Sequence, residues 1–226
     1  MTKIYAIGDC HISRVQEHYN PSESDVDFVI WGKAAKKIWD INFAEMLTLD
    51  EVSSGKEQQR FDGDGVTLFS QIKDEDVLFA WFGYVDIRTF LSKYNNADEV
   101  AKRYVDQLKS YFKNSLIVII EPLPQFTEML LKYEGISPSY TYEERLNQNK
   151  LFIESLHKYA SYAGITHFIT QDDIRKAIGS DELTPAMTHT KAPHPVDGLK
   201  DEYNQNIFFL FERYAKKIIE ENFNDN

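Results

Sequence analysis

The sequence predicts an α/β fold, a three-layer α/β/α sandwich around a mostly parallel sheet. Two observations carry this expectation. Short, nearly continuous apolar runs rich in β-branched and aromatic residues recur along the chain, as strands do when both faces of a sheet are covered. Between them lie longer stretches with apolar residues at helical spacing, and strands alternating with helices imply parallel crossovers. The chain has 226 residues, 42% hydrophobic and 27% charged, which suits a single domain over residues 1–226 with a sizeable core.

The elements are expected in the following order. Ile4 to Ile7 forms the first strand and runs straight into Gly8-Asp9-Cys10-His11. A further strand is expected between Ile41 and Leu49 or around Val66 to Phe69. The run Val77 to Phe82 is a strand that leads into Gly83-Tyr84-Val85-Asp86-Ile87-Arg88. Asp98 to Phe112 reads as a helix, with Val100, Tyr104, Leu108, Tyr111 and Phe112 on its apolar side. Leu116 to Ile120 is a strand, followed by the proline-stiffened Glu121-Pro122-Leu123-Pro124. Thr141-Tyr142-Glu143-Glu144 has the Thr-x-x-Glu form of a capping box. It opens a helix from about Tyr142 to Ala163, which Gly164 stops. Ile165 to Ile169 is a strand, and a last helix begins near Asp201 with Ile207, Phe211, Tyr214, Ala215 and Ile218 on one face. The resulting sheet is flavodoxin-like.

Charge and composition exclude several function classes. A net charge of −11 argues against a nucleic-acid partner, because affinity for phosphate backbones rests on clustered Lys and Arg. No apolar stretch approaches the roughly 18 residues that span a bilayer, so no membrane partner is expected. Met1-Thr2-Lys3 leads into a strand rather than a signal peptide, and the only cysteine cannot form an internal disulfide. A cytoplasmic location follows as the expectation. No cofactor is expected either. The stretch after Ile7 has no Gly-rich run to cradle a phosphate, and His189 and His194 have no helical spacing that would put both on one metal ion.

Ligands of parallel α/β sheets bind outside the carboxyl ends of the strands. Four segments are therefore expected to converge on one cleft. They are Asp9-Cys10-His11, the stretch Gly83 to Arg88, Glu121 to Pro124, and Thr188 to Lys200, which carries His189, His194 and Asp197.

In these segments the chain resembles the SGNH/GDSL hydrolases. The resemblance rests on Gly8-Asp9-Cys10-His11, on Phe82-Gly83-Tyr84-Val85-Asp86-Ile87-Arg88, on Arg145-x-x-x-Asn149 and on Asp197-Gly198-Leu199-Lys200. The second segment is similar to the Gly-Glu-Ile-Asp-Cys-Arg block of a subgroup whose first block reads Gly-Asp-Ser-His. In order and spacing these blocks cover nearly the whole chain. The resemblance implies an SGNH-type sheet and an acyl-transfer site with a nucleophile after Gly-Asp, an Asp-x-x-His pair before the last helix, and a Gly and an Asn in the oxyanion hole. Here Cys10 stands where Ser is expected, Val85 where Asn is, and Lys200 where His is, while Asp197 is retained. The subgroup also has an apolar residue at the Asn position. Gly32 is the candidate oxyanion glycine, and Asp9, Gly83, Asp86, Arg88 and His11 are candidates to shape or bind in the cleft. The base for Cys10 is open among Lys200, which needs a desolvated pocket to act as one, and His194, His189 or His11.

Each of these residues also has a plainer reading. Cys10 is a small residue that a core can absorb. Asp86 and Arg88 can form an ion pair or cap a helix, and Arg145 and Asn149, one turn apart, can be a solvated pair or a brace. His157 and His167 read as structural, the many aromatics read mostly as core, and Tyr84 is placed to stack on a sugar or acyl group. Two functions follow from the sequence. One is an SGNH-type hydrolase of an O-acyl ester, an acetyl on a saccharide among the candidates, with Cys10 attacking and Asp197 orienting a base. The other is a catalytically degenerate relative that keeps the fold for binding or assembly. The expected partner is a small-molecule or saccharide ester; homo-oligomer formation, and whether Pro122 to Tyr140 is a lid, an interface or a surface excursion, are open.

Overall fold

Residues 3–20, 22–32, 38, 72–73, 76–87, 96–125, 127, 141–187 and 199–223 are described by the computed structural model. Strands β1 (Ile4–Gly8), β2 (Phe28–Gly32), β3 (Val77–Trp81), β4 (Leu116–Ile120) and β5 (His167–Ile169) build one sheet in the order β2-β1-β3-β4-β5. Every neighbouring pair is parallel. This is the mostly parallel, flavodoxin-like α/β arrangement the sequence predicts. The chain steps from β1 to β2 on one side and then crosses back over β1 to β3. That reversal of strand order opens a crevice at the carboxyl ends of β1 and β3.

Alternation along each strand explains why the runs are apolar throughout. Ile4 and Ala6 face one layer while Tyr5 and Ile7 face the other, so both sides of β1 are buried. The first layer holds α1 (Cys10–Gln16), α5 (Gln171–Ile178) and α6 (Asp201–Phe223); the second holds α3 (Ala97–Tyr111) and α4 (Tyr142–Tyr162). A single turn, α2 (Tyr84–Asp86), follows β3, and a 3-10 turn spans Pro185–Met187. On the first face Phe208 and Phe211 of α6 lie at 5.7 Å from Phe28, 5.9 Å from Phe79 and 5.5 Å from Trp81 between ring centroids, in tilted or edge-on geometries. Ser24 and Lys216–Asp25, the latter at 2.7 Å, fasten the β1–β2 connection to α6, with Ser24 donating to Glu212.

Local signals set the helix starts. The capping box expected at Thr141 is present, with Glu144 N donating to Thr141 Oγ1 at 3.1 Å and Thr141 N donating to Glu144 Oε2 at 2.6 Å. A second box, Thr170 with Asp173, opens α5, and Gly179 in the left-handed region (φ 72°) closes it. Such caps each contribute about 1 kcal/mol.

The structure adds two helices and an edge strand to the sequence expectations and corrects the start of the last strand. The edge strand beside β1 is Phe28–Gly32, while the segments 41–49 and 66–69 lie outside the described residues. Its run Phe28 to Trp31 is as long as Ile4 to Ile7, but acidic residues precede it and no Gly-Asp follows it. The last strand is His167–Ile169 and so starts later than Ile165, whose N–H instead bonds Ala160 O at 2.8 Å to finish the α4 terminus. Helices α1 and α5, of 7 and 8 residues, have too few turns to show a period. No helix among the described residues is long and apolar enough to cross a membrane.

Candidate functional site

The strand end at Gly8 is built by close approach. Gly8 lies in register with Gly32 of β2 and Trp81 of β3, so three strands finish at one level. A Cβ on Gly8 would meet the Trp81 carbonyl oxygen at 2.5 Å, which is backbone and cannot rotate away. Asp9 N then donates to that same oxygen at 3.1 Å, and α1 starts at Cys10. Only glycine lets the chain run this tightly from β1 into α1.

Asp9 is the N-cap of α1. Its Oδ1 accepts from His11 N at 3.0 Å and pairs with His11 Nδ1 at 2.9 Å. A carboxylate can only accept, so His11 Nδ1 carries the proton and Nε2 of the neutral ring carries the lone pair. Both groups are buried, Asp9 at 1% exposure and His11 at 4%. Among the described residues Asp9 Oδ2 has no hydrogen-bond partner. The imidazole sits edge-on to Tyr84, with centroids 4.6 Å apart, and 5.8 Å from Trp81.

Tyr84 owes its position to Gly83, whose φ of +112° turns the chain out of β3. A Cβ there would also strike Phe152 Cε1 at 2.9 Å. Beyond this turn, burial pushes the Tyr104 phenol well above its ordinary value, and the charges of Asp9 and then Asp86 act in the same direction. Arg145 is 3% exposed, with its guanidinium 5.9 Å from the Tyr142 ring centroid. Burial lowers its pKa, while Tyr84 and Tyr142 oppose that shift.

A polar network bridges β4, α4 and α5. Glu121 Oε2 accepts from Gln171 N at 2.7 Å, and Glu121 Oε1 meets His157 Nε2 at 2.6 Å. Gln171 Nε2 donates to Pro122 O at 2.7 Å and to Asn149 Oδ1 at 3.2 Å, and Trp81 Nε1 donates to Glu121 O at 3.0 Å. This network underlies a groove of about 660 Å³ between α4 and α5, lined in part by Asn149, Lys150, Gln171 and Arg175.

The expected residues divide into three groups. Asp9 and His11 pair at the β1 end, Cys10 opens α1 beside them, and Gly32 and Gly83 mark the neighbouring strand end and turn. Asp86 is buried and its Oδ2 accepts from Ile38 N at 2.9 Å, so that oxygen anchors backbone following β2. Arg145 and Asn149 are buried rather than solvated, and Asn149 braces Gln171. Lys200 is exposed, and its N–H donates to Met187 O at 2.8 Å ahead of α6. Arg88, His189, His194 and Asp197 lie outside the described residues. Sequence reasoning passed over Trp81 and the roles of Glu121 and Gln171; a glutamate immediately after a buried strand was the available signal. No group of three or more His, Cys, Asp or Glu that could hold a metal ion occurs among the described residues.

No protein-family model and no curated protein matches the sequence. Solved structures share its fold. Est24, a carbohydrate acetylesterase from Sinorhizobium meliloti, is 12% identical with a TM-score of 0.54, over 96% of this chain and 100% of the other. A member of the lipolytic protein G-D-S-L family from Veillonella parvula is 12% identical with a TM-score of 0.54, over 97% and 99%. The lipase/acylhydrolase from Enterococcus faecalis is 14% identical with a TM-score of 0.52, over 96% of each chain. At these identities the likeness is one of fold.

Proposed function

We propose that the protein is a hydrolase of the SGNH type that cleaves an O-acyl ester, with an acetylated saccharide as the substrate class and Cys10 as the nucleophile. The observation that carries this reading is backbone placement. Cys10 begins α1 where strand order reverses, at the level where β1, β2 and β3 end together. Fold likeness to an acetylesterase and an acylhydrolase supports the same reaction class. In this reading the thiolate attacks the acyl carbon, and backbone N–H groups at Cys10 and Gly32 receive the developing oxyanion. Gly83 makes the turn at the neighbouring strand end. A thiolate needs less help from a base than an alkoxide does. Lys200 is exposed, whereas a lysine base needs a desolvated pocket, so the base is a histidine.

The test is p-nitrophenyl acetate turnover by wild type, Cys10→Ser and Cys10→Ala. Turnover is expected to fall to background in Cys10→Ala; equal rates in all three defeat the reading. A second reading, a degenerate relative kept for binding or assembly, draws on two observations. Asp86 Oδ2 is engaged by Ile38 N and the Lys200 side chain is exposed, and both favour a cleft kept without turnover. It predicts background rates throughout.

A further inference from the structure

We propose that the groove between α4 and α5 is a binding site for a run of neutral sugar rings, with the side-chain amide of Asn149 as its central donor. For the ligand class this rests on the reading of the substrate as an acetylated saccharide, and it does not depend on Cys10. The orientation of Asn149 follows from its neighbours. Arg175 can only donate and does so to Gln171 Oε1 at 3.3 Å, while the Pro122 carbonyl can only accept and takes Gln171 Nε2 at 2.7 Å. The Gln171 amide is thereby fixed. Its Nε2 also donates to Asn149 at 3.2 Å, so the Asn149 atom on that side is Oδ1. Asn149 Nδ2 is therefore turned away from Gln171 and has no hydrogen-bond partner among the described residues. Asn149 is 3% exposed, and the little area that remains opens on the groove it lines. Polar groups this deeply placed are paired in folded proteins, so two unspent N–H groups require an acceptor.

Charges on the two walls decide the ligand class. On α4, Lys150 pairs with Glu154 at 3.9 Å; on α5, Arg175 pairs with Asp172 at 2.8 Å. Each cation is offset by an acid on its own helix, which leaves no unopposed positive charge for an anion. Of the remaining acids in the lining, Glu121 has both oxygens taken by Gln171 N and His157, and Glu143 is exposed and adds an acceptor. Donors and acceptors thus stand side by side, which suits hydroxyl groups, since each of them both donates and accepts. Leu146 and Ile153 lie on the same helix face as Asn149, and Leu146 is 42% exposed, so apolar surface is present for the C–H face of a sugar ring. The volume, about 660 Å³, is that of a small-molecule site. Glu121 follows β4 and Thr170 follows β5, so the groove opens at the same carboxyl edge as the ends of β1 and β3. Only β3 lies between β1 and β4, and neighbouring strands are about 4.8 Å apart, so the β4 end is roughly 10 Å from the β1 end. A few sugar rings cover that distance, and a chain held by Asn149 would carry an acetyl group to the end of β1.

The test is titration of the isotope-labelled protein followed by two-dimensional amide NMR spectra. Xylotetraose, cellotetraose and mannotetraose are the neutral probes, with tetragalacturonate as the anionic and spermine as the cationic counterpart. None of them carries an ester, so binding is read apart from turnover. At least one neutral tetrasaccharide at millimolar concentration is expected to give saturable shifts of the Asn149 side-chain amide and of the backbone signals of Lys150, Asp172 and Arg175. Asn149→Asp keeps an oxygen for Gln171 and removes the donor, so affinity should fall about tenfold. Lys150→Ala, at an exposed position where folding is not at stake, should lower it about threefold, which keeps the test alive if Asn149→Asp does not fold. Absence of saturable shifts at these residues with all three neutral probes overturns the proposal. So does tighter binding of tetragalacturonate or spermine than of every neutral probe, or unchanged affinity in both variants. Failure of the hydrolase reading has a different signature, equal p-nitrophenyl acetate turnover by wild type and Cys10→Ala, and leaves the titration untouched.

Discussion

Replacing Gly8 with alanine tests the packing that carries the chain from β1 into α1. The new methyl would sit 2.5 Å from the Trp81 carbonyl oxygen and 3.1 Å from Cβ and Cγ2 of Ile12. A relaxed C···O contact is about 3.3 Å, so β1 and β3 must part by roughly 0.8 Å at this end. The movement stretches the Asp9 N to Trp81 O bond, now 3.1 Å, and pushes on α1 through Ile12. Overpacking of this kind costs about 1–3 kcal/mol, and a weakened buried hydrogen bond adds about 1 kcal/mol, for a total near 3 kcal/mol. Gly164→Ala is the control. Its φ is +72° with nothing within 4 Å of the added Cβ, so only left-handed strain of about 1 kcal/mol applies. For a chain of this size 1 kcal/mol moves the melting temperature by about 2–4 °C. Thermal melts followed by circular dichroism should therefore fall by roughly 9 °C for Gly8→Ala and roughly 3 °C for Gly164→Ala. A Gly8 variant that melts no lower than the Gly164 variant would refute the close-approach argument.

Two further outcomes follow from the buried polar groups. Glu121→Gln replaces one of two acceptor oxygens with a donor facing Gln171 N or His157, so stability should drop by about 2 kcal/mol, read as a lower urea midpoint. Hydrogen exchange should quicken at the start of α5 in that variant, and unchanged exchange there would count against the network. Burial, reinforced by Asp76 and Asp27, raises the Tyr5 phenol to about 12. A group raised in the folded state contributes stability that is intact below its unfolded value, near 10, and is lost as pH rises through the folded one. The wild-type urea midpoint should decline between pH 10 and 12, and Tyr5→Phe should decline less. Parallel curves for the two would show that Tyr5 is not the group responsible.

How much could be read beforehand depended on how local each signal was. Strands β1, β3 and β4 announced themselves because both of their faces are buried, which leaves an unbroken apolar run. Strand β2 did not, although its run is as long as that of β1, since acidic residues precede it and no Gly-Asp follows it. Helix α4 was legible from its capping box and from the apolar residues at helical spacing between Phe152 and Ala160. Helix α5 has a box of the same kind at Thr170 and Asp173, yet only Ile174 and Ile178 are apolar and buried in it. At the site, Gly8 and Gly83 were visible as glycines, but the reasons for them are a carbonyl oxygen and a phenyl ring from distant segments. Asp9 and His11 are two residues apart, and their bond depends on Asp9 being an N-cap, which required recognising α1. The Glu121 network joins residues separated by 22, 36 and 50 positions and left no local trace.

The cover that α6 provides has a consequence during synthesis. Phe28, Phe79 and Trp81 belong to strands completed by residue 81, while the rings that cover them, Phe208 and Phe211, lie in a helix that starts at residue 201. At translation speeds of about 5–20 residues per second, a nascent chain carries that aromatic face bare for on the order of ten seconds. Until α6 clears the ribosome, the sheet is an attractive surface for chaperones and for other nascent chains. Soluble yield on expression should therefore depend on translation pace and chaperone supply more than the stability of the finished protein suggests.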